Sequence, residues 1–262
     1  MASRTVAVVQ ARLGSTRLPG KALMEIAGRP MLWHVLTRAA AIPGVDEVVL
    51  ATTVSNEDDA LVDVARAAGL RVTRGSVEDV LDRFRAALLA HPADAVVRVT
   101  GDCPLLDPRV SGLVVEEYRR DRSLDYVSNV HPPTYPDGLD TEVISPEALE
   151  TAWREARLPS EREHVTPYVW RHPERFRIAN VSHHEDLSGL RWTVDDGRDL
   201  DFVRAVYAEL SPDGTRSFGM AELLELLRAR PELASLNAGS RRNEGFERSR
   251  IADVPASKGQ RS

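Results

Sequence analysis

The first half of the chain alternates short apolar runs with amphipathic stretches. Each apolar run is too short for a core helix and predicts a buried strand, and the runs lie at residues 5–9, 45–52, 70–73 and 95–100. Apolar residues repeat at helical spacing between them and predict helices at 31–41, 56–68 and 77–90. Strands and helices that alternate at this spacing require right-handed crossovers. We therefore predict an α/β fold with a mainly parallel sheet sandwiched by helices.

The pattern changes after about residue 125. Candidate strands follow at 126–130, 139–144, 176–181 and 190–194. Closing helices are predicted at 199–210 and 220–230. Ser160-Glu161-Arg162-Glu163 has the capping-box pattern, which predicts that a helix begins at Ser160. We expect one domain over residues 1–236, with a small β-rich arm over about 126–190.

The chain loses its periodicity near residue 237. Residues 237–262 are rich in Arg, Ser, Gly and Asn, and their few apolar residues are scattered. Segments that can bury so little apolar surface stay disordered, because burial does not offset the entropy of ordering. We therefore expect a disordered tail.

Composition limits the class of protein. Hydrophobic residues make up 42% of the 262 residues and charged residues 28%, which suits a globular domain. The formal net charge is -6 and no basic stripe is evident, so nucleic acid is not the expected partner. The lone Cys103 excludes an internal disulfide and a thiolate zinc site. The N-terminal apolar run is too short for a signal peptide or a membrane span, so we expect a cytoplasmic protein with no membrane partner.

The segment QARLGSTRLPGK, residues 10–21, directly follows the first predicted strand. Ligands of open α/β sheets bind at the carboxyl ends of the strands. Arg12, Arg17 and Lys21 alternate here with small residues, which let backbone N–H groups approach an anion. A triphosphate carries about four negative charges, so three cations are proportionate to it. The alternative is a solvated basic loop.

Lys21 favours the phosphate interpretation of this loop. All but two of the 34 basic residues are arginine, and Lys21 is the only lysine before the tail. An ammonium group is a compact point charge that can follow a moving phosphate oxygen, whereas arginine is a planar fork. The loop lacks both GxxxxGKS/T and GxGxxG, so it differs from the common phosphate-binding loops.

Two aspartates that follow predicted strands are candidate metal ligands. Asp102 comes just after the fourth strand and either faces a cleft or starts a turn before Pro104. The second candidate is one of Asp195 and Asp196, which follow the last strand and each either bind a metal or cap the next helix. Mg²⁺ needs only one or two carboxylates besides phosphate oxygens and water. Cys103 has an anionic neighbour that blunts thiol reactivity, so we expect it to pack rather than react.

Arg74-Gly75-Ser76 follows the third predicted strand, and Gly75 allows close approach of the backbone to a base. The alternatives are an ordinary turn capped by Ser76 and a solvated helix face that carries Asp82 and Arg83.

Candidate acceptor contacts lie in the second half of the chain. Asp140 and Glu142 are two residues apart on a predicted strand, so they point to one face. Two carboxylates on one face can orient hydroxyl groups or hold a second metal; the alternative is a solvent-facing edge. His164 lies on the predicted capped helix, where it is either structural or part of the acceptor site.

Several ordered motifs resemble those of the sugar-acid cytidylyltransferases, most closely the spore coat polysaccharide biosynthesis proteins. The motifs are QAR at 10–12, STRLPGK at 15–21, RGS at 74–76, VLDRF at 80–84, GDCPL at 101–105, YPDGLD at 135–140, EHVTPY at 163–168 and WTVD at 192–195. The same superfamily holds the CMP-KDO and CMP-acylneuraminate synthetases. The resemblance spans roughly residues 4–210.

The resemblance implies a nucleotidyltransferase fold similar to that of type A glycosyltransferases. It also implies Mg²⁺-dependent transfer of CMP from CTP to an acceptor such as a sugar acid, with release of pyrophosphate. Asp102 and Asp195 would bind the metal, and Arg12, Lys21 and Asp102 would be catalytic. The nucleotide would contact Gln10, Ala11, Arg12, Gly14, Ser15, Arg17, Lys21, Arg74, Ser76, Asp82 and Arg83. The last four would be the base contacts. The acceptor would contact Asp140, Glu142 and His164.

The resemblance further implies that the arm builds a homodimer. Two rival functions use the same sheet. A glycosyltransferase that binds a nucleotide-sugar usually has a DxD motif, but Gly101-Asp102-Cys103 offers one aspartate. A catalytically inactive nucleotide-binding partner would have lost its charged site residues, which are present here.

Overall fold

The computed structural model describes residues 3–239, 242 and 244–253. The strands of the main sheet are β1 Thr5–Gln10, β4 Glu47–Thr53, β5 Arg71–Gly75, β6 Ala95–Thr100, β7 Tyr126–Ser128, β8 Glu142–Ile144 and β9 Ile178–Asn180. A separate antiparallel ribbon joins β2 Glu25–Ile26 and β3 Arg29–Pro30.

Helices connect and cover these strands. The helices are α1 Met31–Ala40, α2 Asp59–Ala67, α3 Val80–Ala90, α4 Pro108–Arg120, α5 Pro146–Glu155, α6 Pro159–His164, α7 Pro167–Trp170, α8 Gly197–Leu210, α9 Met220–Ala229, α10 Pro231–Ala234 and α11 Glu244–Ala252. Within the part of the chain that the structure describes, none of them is both long and apolar enough to cross a membrane.

The seven strands of the main sheet lie in the order β5-β4-β1-β6-β8-β7-β9. β1 is parallel to both of its neighbours, β4 and β6, and β4 is parallel to β5. β8 runs antiparallel between β6 and β7. The prediction of a mainly parallel sheet sandwiched by helices is therefore confirmed.

Central strand β1 is buried on both of its faces. Ala7 and Val9 pack in one hydrophobic cluster, which includes side chains of α1 and α4. Val6 and Val8 pack in a second cluster, with Phe84 of α3. Parallel strands covered on both faces read as continuous apolar runs, which is why the sequence revealed β1 so clearly.

Helices α4 and α5 are absent from the sequence-based prediction. Asp107 caps α4, its side chain accepting a hydrogen bond from the Arg109 N–H, and Pro108 occupies the first turn. Ser145 and Pro146 play the same roles at the start of α5. A polar cap followed by proline is a helix-start signal, so both helices had a signal in the sequence.

Helix α6 begins before the predicted capping box. Leu158 is its cap residue and Pro159 its first residue, so Ser160 lies inside the helix. The Glu161 carboxylate accepts the backbone N–H groups of Arg157 and Leu158. The prediction that the helix begins at Ser160 is wrong, because proline at 159 already provides the favoured first-turn residue.

The predicted strand at 190–194 is also not formed. Its Arg191 makes only an isolated bridge with Asp137. This segment lies beside the proline-rich loop, where Gly138 has φ +106° and packs directly against the backbone of Trp192 and Thr193. A Cβ at position 138 would lie 2.6 Å from the Trp192 carbonyl carbon, so the close approach requires glycine.

Part of the expected disordered tail is helical. Helix α11 spans Glu244–Ala252 and lies against α6, where its Ser249 is buried. Asn237 is buried as well and donates a hydrogen bond to the Arg191 carbonyl. These partners come from distant parts of the chain, so composition alone does not reveal them. The other tail residues, 240, 241, 243 and 254–262, lie outside the described residues.

Candidate active site

A cleft of about 900 Å³ opens at the carboxyl ends of β1 and β6. The two strand ends are in close contact, because the Gly101 N–H donates a 2.9 Å hydrogen bond to the Gln10 carbonyl. A Cβ on Gly101 would lie 2.8 Å from that same oxygen, so glycine is needed for this approach. The predicted loop at 10–21 and Asp102 therefore border one cleft.

Lys21 lies between the two predicted metal ligands. Its Nζ atom is 3.0 Å from Asp102 Oδ2 and 3.0 Å from Asp195 Oδ1, and it donates a 2.6 Å hydrogen bond to the Val194 carbonyl. Burial lowers the pKa of Lys21, but the two carboxylates raise it by more, so the ammonium stays charged. The structure thus brings together three residues separated by more than 80 positions in the sequence.

Asp102 is held in its charged form. Burial raises its pKa, but the Lys21 ammonium and the Thr100 hydroxyl outweigh burial and bring the pKa of Asp102 down to about 2. Neighbouring Cys103 is buried, and burial together with the Asp102 carboxylate raises the pKa of its thiol. The thiol is therefore neutral at physiological pH, in agreement with the expected packing role.

Asp195 and Asp196 have different roles in the structure. Asp196 caps α8, because its Oδ1 accepts hydrogen bonds from the backbone N–H groups of Arg198 and Asp199. Asp195 instead points into the cleft, where Arg17 approaches its Oδ1 at 2.8 Å. Asp195 rather than Asp196 therefore faces the cleft, and Asp195 is the residue that the family resemblance implied as a metal ligand.

Arg191 orients the Asp195 carboxylate through the oxygen opposite the one that Lys21 contacts. The sequence analysis did not identify Arg191. Its Nη2 donates a 2.8 Å hydrogen bond to Asp195 Oδ2. Its remaining guanidinium nitrogens pair with Asp137 and with the fully buried Asp199, each at 3.0 Å. A bidentate guanidinium held by buried carboxylates has a fixed orientation. No short motif marks Arg191, since its partners come from separate segments.

The loop at residues 10–21, the candidate phosphate loop, lines the cleft. The lining includes Gln10, Ala11, Arg12, Gly14, Ser15, Arg17 and Lys21. The loop is anchored by Asp58, whose Oδ1 accepts the Leu13 N–H at 2.8 Å. Asp58 is buried and also accepts the Thr53 hydroxyl. It had no signal in the sequence beyond its place in a predicted helix.

Among the four candidate base contacts, Arg83 lines the cleft. Its side chain is 2% exposed, and its Nε and Nη1 atoms have no hydrogen-bond partner among the described residues. Burial and the nearby Arg12 lower the pKa of Arg83 to about 10. A buried guanidinium with unused N–H groups is costly unless a ligand supplies acceptors.

The other three base candidates have structural contacts. Arg74 donates hydrogen bonds to the Thr53 and Ser55 carbonyls and pairs with Asp59. Ser76 accepts the Asp79 N–H at 3.1 Å, and Asp82 accepts the Trp153 indole N–H at 2.9 Å. None of the three is part of the cleft lining. The structure therefore brings only Arg83 of this group to the site.

The two candidate acceptor carboxylates, Asp140 and Glu142, lie on the cleft wall rather than on a solvent-facing edge. Glu142 is 5% exposed; it accepts the Tyr126 and Thr166 hydroxyls at 2.5 Å and pairs with Arg98. Burial raises the pKa of Glu142, but Arg98 and the Thr166 and Tyr126 hydroxyls together outweigh burial and lower it overall. Glu142 is thus a charged carboxylate, and each of its oxygens accepts at least one hydrogen bond.

Asp140 and His164 line the same half of the cleft. Burial raises the pKa of Asp140 to about 7, although the paired Arg242 opposes this shift. Burial and Arg98 lower the pKa of His164 to about 4, so its imidazole is neutral at physiological pH. Trp170, which was not predicted, completes this wall.

Comparison with known proteins identifies the family of this chain. Residues 6–236 match the model of the cytidylyltransferase family. The chain belongs to this family. It is therefore a nucleotidyltransferase enzyme with the expected fold.

This cytidylyltransferase is similar in sequence to two named proteins and in structure to a third. The chain is 32% identical over 237 residues to the spore coat polysaccharide biosynthesis protein SpsF of Bacillus subtilis, covering 87% of this chain and 95% of the relative. It is 44% identical over 125 residues to the 3-deoxy-manno-octulosonate cytidylyltransferase of Maricaulis maris, covering 45% and 46% of the two chains. A cytidylyltransferase structure from Leptospira borgpetersenii has a TM-score of 0.85 at 30% identity, covering 92% of this chain and all of the other.

Proposed function

We propose that this cytidylyltransferase moves CMP from CTP to a hydroxyl group of a sugar acid in the cytoplasm, releases pyrophosphate and requires Mg²⁺. The observation that carries the proposal is the Lys21 ammonium between the Asp102 and Asp195 carboxylates, beside the loop of Arg12 and Arg17. The named relative acting on 3-deoxy-manno-octulosonate supports a sugar acid as the acceptor class.

The residues present fit Mg²⁺. Asp102 and Asp195 each place a carboxylate oxygen 3.0 Å from Lys21 Nζ, so the two carboxylates converge on one point, where the Lys21 ammonium lies. No group of three or more His, Cys, Asp or Glu side chains in the described ranges is arranged to hold a metal. Mg²⁺ commonly takes one or two carboxylates and completes its coordination with phosphate oxygens and water. When bound, it would supply Lewis-acid polarisation of a phosphoryl oxygen.

Lys21, Arg12 and Arg17 would bind the triphosphate. Lys21 neutralises the two carboxylates, and with a triphosphate bound it would also contact the phosphate oxygens. Charges held in place before the reaction stabilise developing negative charge without reorganisation. The acceptor hydroxyl oxygen would form a bond to the α-phosphorus while the bond from that phosphorus to the oxygen bridging to the β-phosphate breaks. Pyrophosphate leaves with that electron pair, and the hydroxyl proton passes to water.

Arg83 would bind the base. Its Nε and Nη1 groups are buried at the cleft without partners among the described residues, and cytosine offers a carbonyl oxygen and a ring nitrogen as acceptors. A site that leaves buried donors unpaired discriminates against ligands that lack the matching acceptors. Asp140, Glu142 and His164 would form the acceptor half, where carboxylates accept hydrogen bonds from sugar hydroxyl groups.

The test is pyrophosphate release by the purified protein with CTP, ATP, GTP or UTP and a panel of acceptors. The panel contains 3-deoxy-manno-octulosonate, N-acetylneuraminate and neutral sugars, and mass spectrometry identifies the CMP conjugate. We expect turnover with CTP, Mg²⁺ and a sugar acid. Consumption of a nucleotide-sugar would instead indicate a glycosyltransferase, and CTP binding without pyrophosphate release an inactive binding partner. That the arm at residues 126–190 builds a homodimer stays a prediction, and analytical ultracentrifugation tests it.

A further inference from the structure

Helix α11 forms part of the cleft wall and connects its two halves. At its start, Glu244 Oε2 lies 3.2 Å from Nη1 of Arg17 in the phosphate loop. Just after its end, Asp253 accepts the Ser160 N–H at 2.9 Å and the Ser160 hydroxyl at 2.6 Å. The helix therefore runs from the phosphate loop to α6 on the acceptor side.

The middle of α11 packs on the acceptor half. The Phe246 ring lies 5.8 Å from the Trp170 ring and 5.1 Å from the His164 ring, and the Arg171 guanidinium is 5.3 Å from its centroid. The Ser249 hydroxyl contacts His164 Nε2 at 3.0 Å. Phe246 lines the cleft together with these residues, so an acceptor bound in this half would lie next to the helix.

The Glu244–Arg17 contact conflicts with nucleotide binding. Arg17 lies in the loop proposed to bind the triphosphate, yet a carboxylate already occupies its Nη1 group. A triphosphate placed there would repel Glu244 and compete with it for the same guanidinium. A docked α11 and a bound triphosphate therefore oppose one another.

We propose that α11 is a lid that the nucleotide releases. The triphosphate takes Arg17 from Glu244, α11 leaves the cleft wall, and the acceptor half becomes more accessible once CTP has bound. The proposal rests on the proposed function, because it uses CTP as the nucleotide. Only a nine-residue helix has to move, and short helices depend on tertiary contacts rather than on their own stability.

The first measurement is CTP affinity in the presence of Mg²⁺, by calorimetry. The Arg17 and Glu244 side chains are 26% and 35% exposed, so their ion pair is weak. We expect Glu244→Gln to bind CTP about two- to fivefold more tightly than wild type. Glu232→Gln is the matched control, because Glu232 also pairs with an arginine but lies on α10.

A second variant separates lid release from a local charge effect. Phe246→Ala leaves Glu244 in place but removes the ring that anchors α11 to Trp170. If docking opposes CTP, freeing the helix raises the population that can bind and tightens CTP as well. Ile251→Ala is the control, since Ile251 lies on the same helix and is 75% exposed.

Hydrogen exchange of the α11 amides supplies a readout that does not need a nucleotide. We expect Glu244→Gln to speed exchange in nucleotide-free protein, and CTP to speed it in wild type. The proposal is overturned if both variants match wild type in CTP affinity and exchange, or if CTP slows exchange in α11. If wild type binds no CTP, the proposed function fails, while the nucleotide-free exchange still decides whether Glu244 holds the helix.

Discussion

Replacing Lys21 with methionine should damage both stability and activity. The Lys21 side chain is 13% exposed and sits between two carboxylates. Its removal leaves Asp195 with Arg17 and Arg191 but deprives Asp102 of its ammonium partner. Loss of one partner from a buried pair costs about 3–5 kcal/mol when the other charge is left uncompensated.

The pKa of Asp102 gives an independent magnitude. It is lowered from 3.8 to about 2, and at about 1.36 kcal/mol per pH unit the native contacts of this carboxylate contribute about 2 kcal/mol. A lowered native pKa stabilises the fold above the ordinary pKa, and this contribution is lost as pH falls toward about 2. We therefore expect Lys21→Met to lose about 2–3 kcal/mol at pH 7.5. Without the ammonium, burial raises the Asp102 pKa, so this deficit should shrink at pH 4.

Urea unfolding at pH 7.5 and pH 4 measures the stability effect, and pyrophosphate release at pH 7.5 measures turnover. Turnover should fall by about 10²–10³, the usual cost of one preorganised charge. Arg109→Met is the control, because the Arg109 side chain is 76% exposed. A Lys21→Met protein within about 0.5 kcal/mol of wild type, or a deficit that stays constant between the two pH values, would refute this reasoning.

Other substitutions separate the remaining roles. Asp102→Asn and Asp195→Asn should each abolish Mg²⁺-dependent pyrophosphate release, as should excess EDTA. Asp196→Asn modifies only a helix cap, so it should cost about 1 kcal/mol or less in urea unfolding and keep most of the activity. An Asp196 variant that is more damaged than the Asp195 variant would reverse the assignment of Asp195 as the metal ligand. Asp140→Ala should raise the acceptor KM with CTP affinity nearly unchanged in calorimetry, and a tenfold loss of CTP affinity would contradict it. Arg83→Met should weaken CTP binding and reduce its preference over UTP without loss of stability, and an unchanged preference would exclude Arg83 from the base site.

The strands of the first half could be predicted because their burial on both faces leaves uninterrupted apolar runs, as in β1. The arm was harder, since β7, β8 and β9 have three residues each and depend on pairing with distant segments. Asp102, just after β6, and Lys21, in the loop after β1, were identifiable from charge and position. Arg191 was not, because its partners meet only in the folded chain.

The sequence also did not predict how far the residues of the phosphate loop are buried. A loop with three cations is expected to be solvated, yet Lys21 is buried by two carboxylates from other segments. The helix at 244–252 was missed for the same reason, since Phe246 finds its aromatic neighbours across the cleft. Local pattern shows which groups are present, whereas tertiary contacts decide which of them are covered.

The reversed direction of β8 has a consequence for how such enzymes diversify. Because β8 runs antiparallel to β6, the residues that enter β8 emerge at the end of the sheet where β6 delivers Asp102. The connection at 129–141 thus brings its side chains to the reaction centre without contributing to the phosphate loop. Much of this connection is buried, and its Asp137 pairs with Arg191, which orients Asp195. Among paralogues, substitutions at partly exposed positions of the connection, such as Asp140, would therefore alter the acceptor half, whereas substitutions at Asp137 would disturb Asp195 as well.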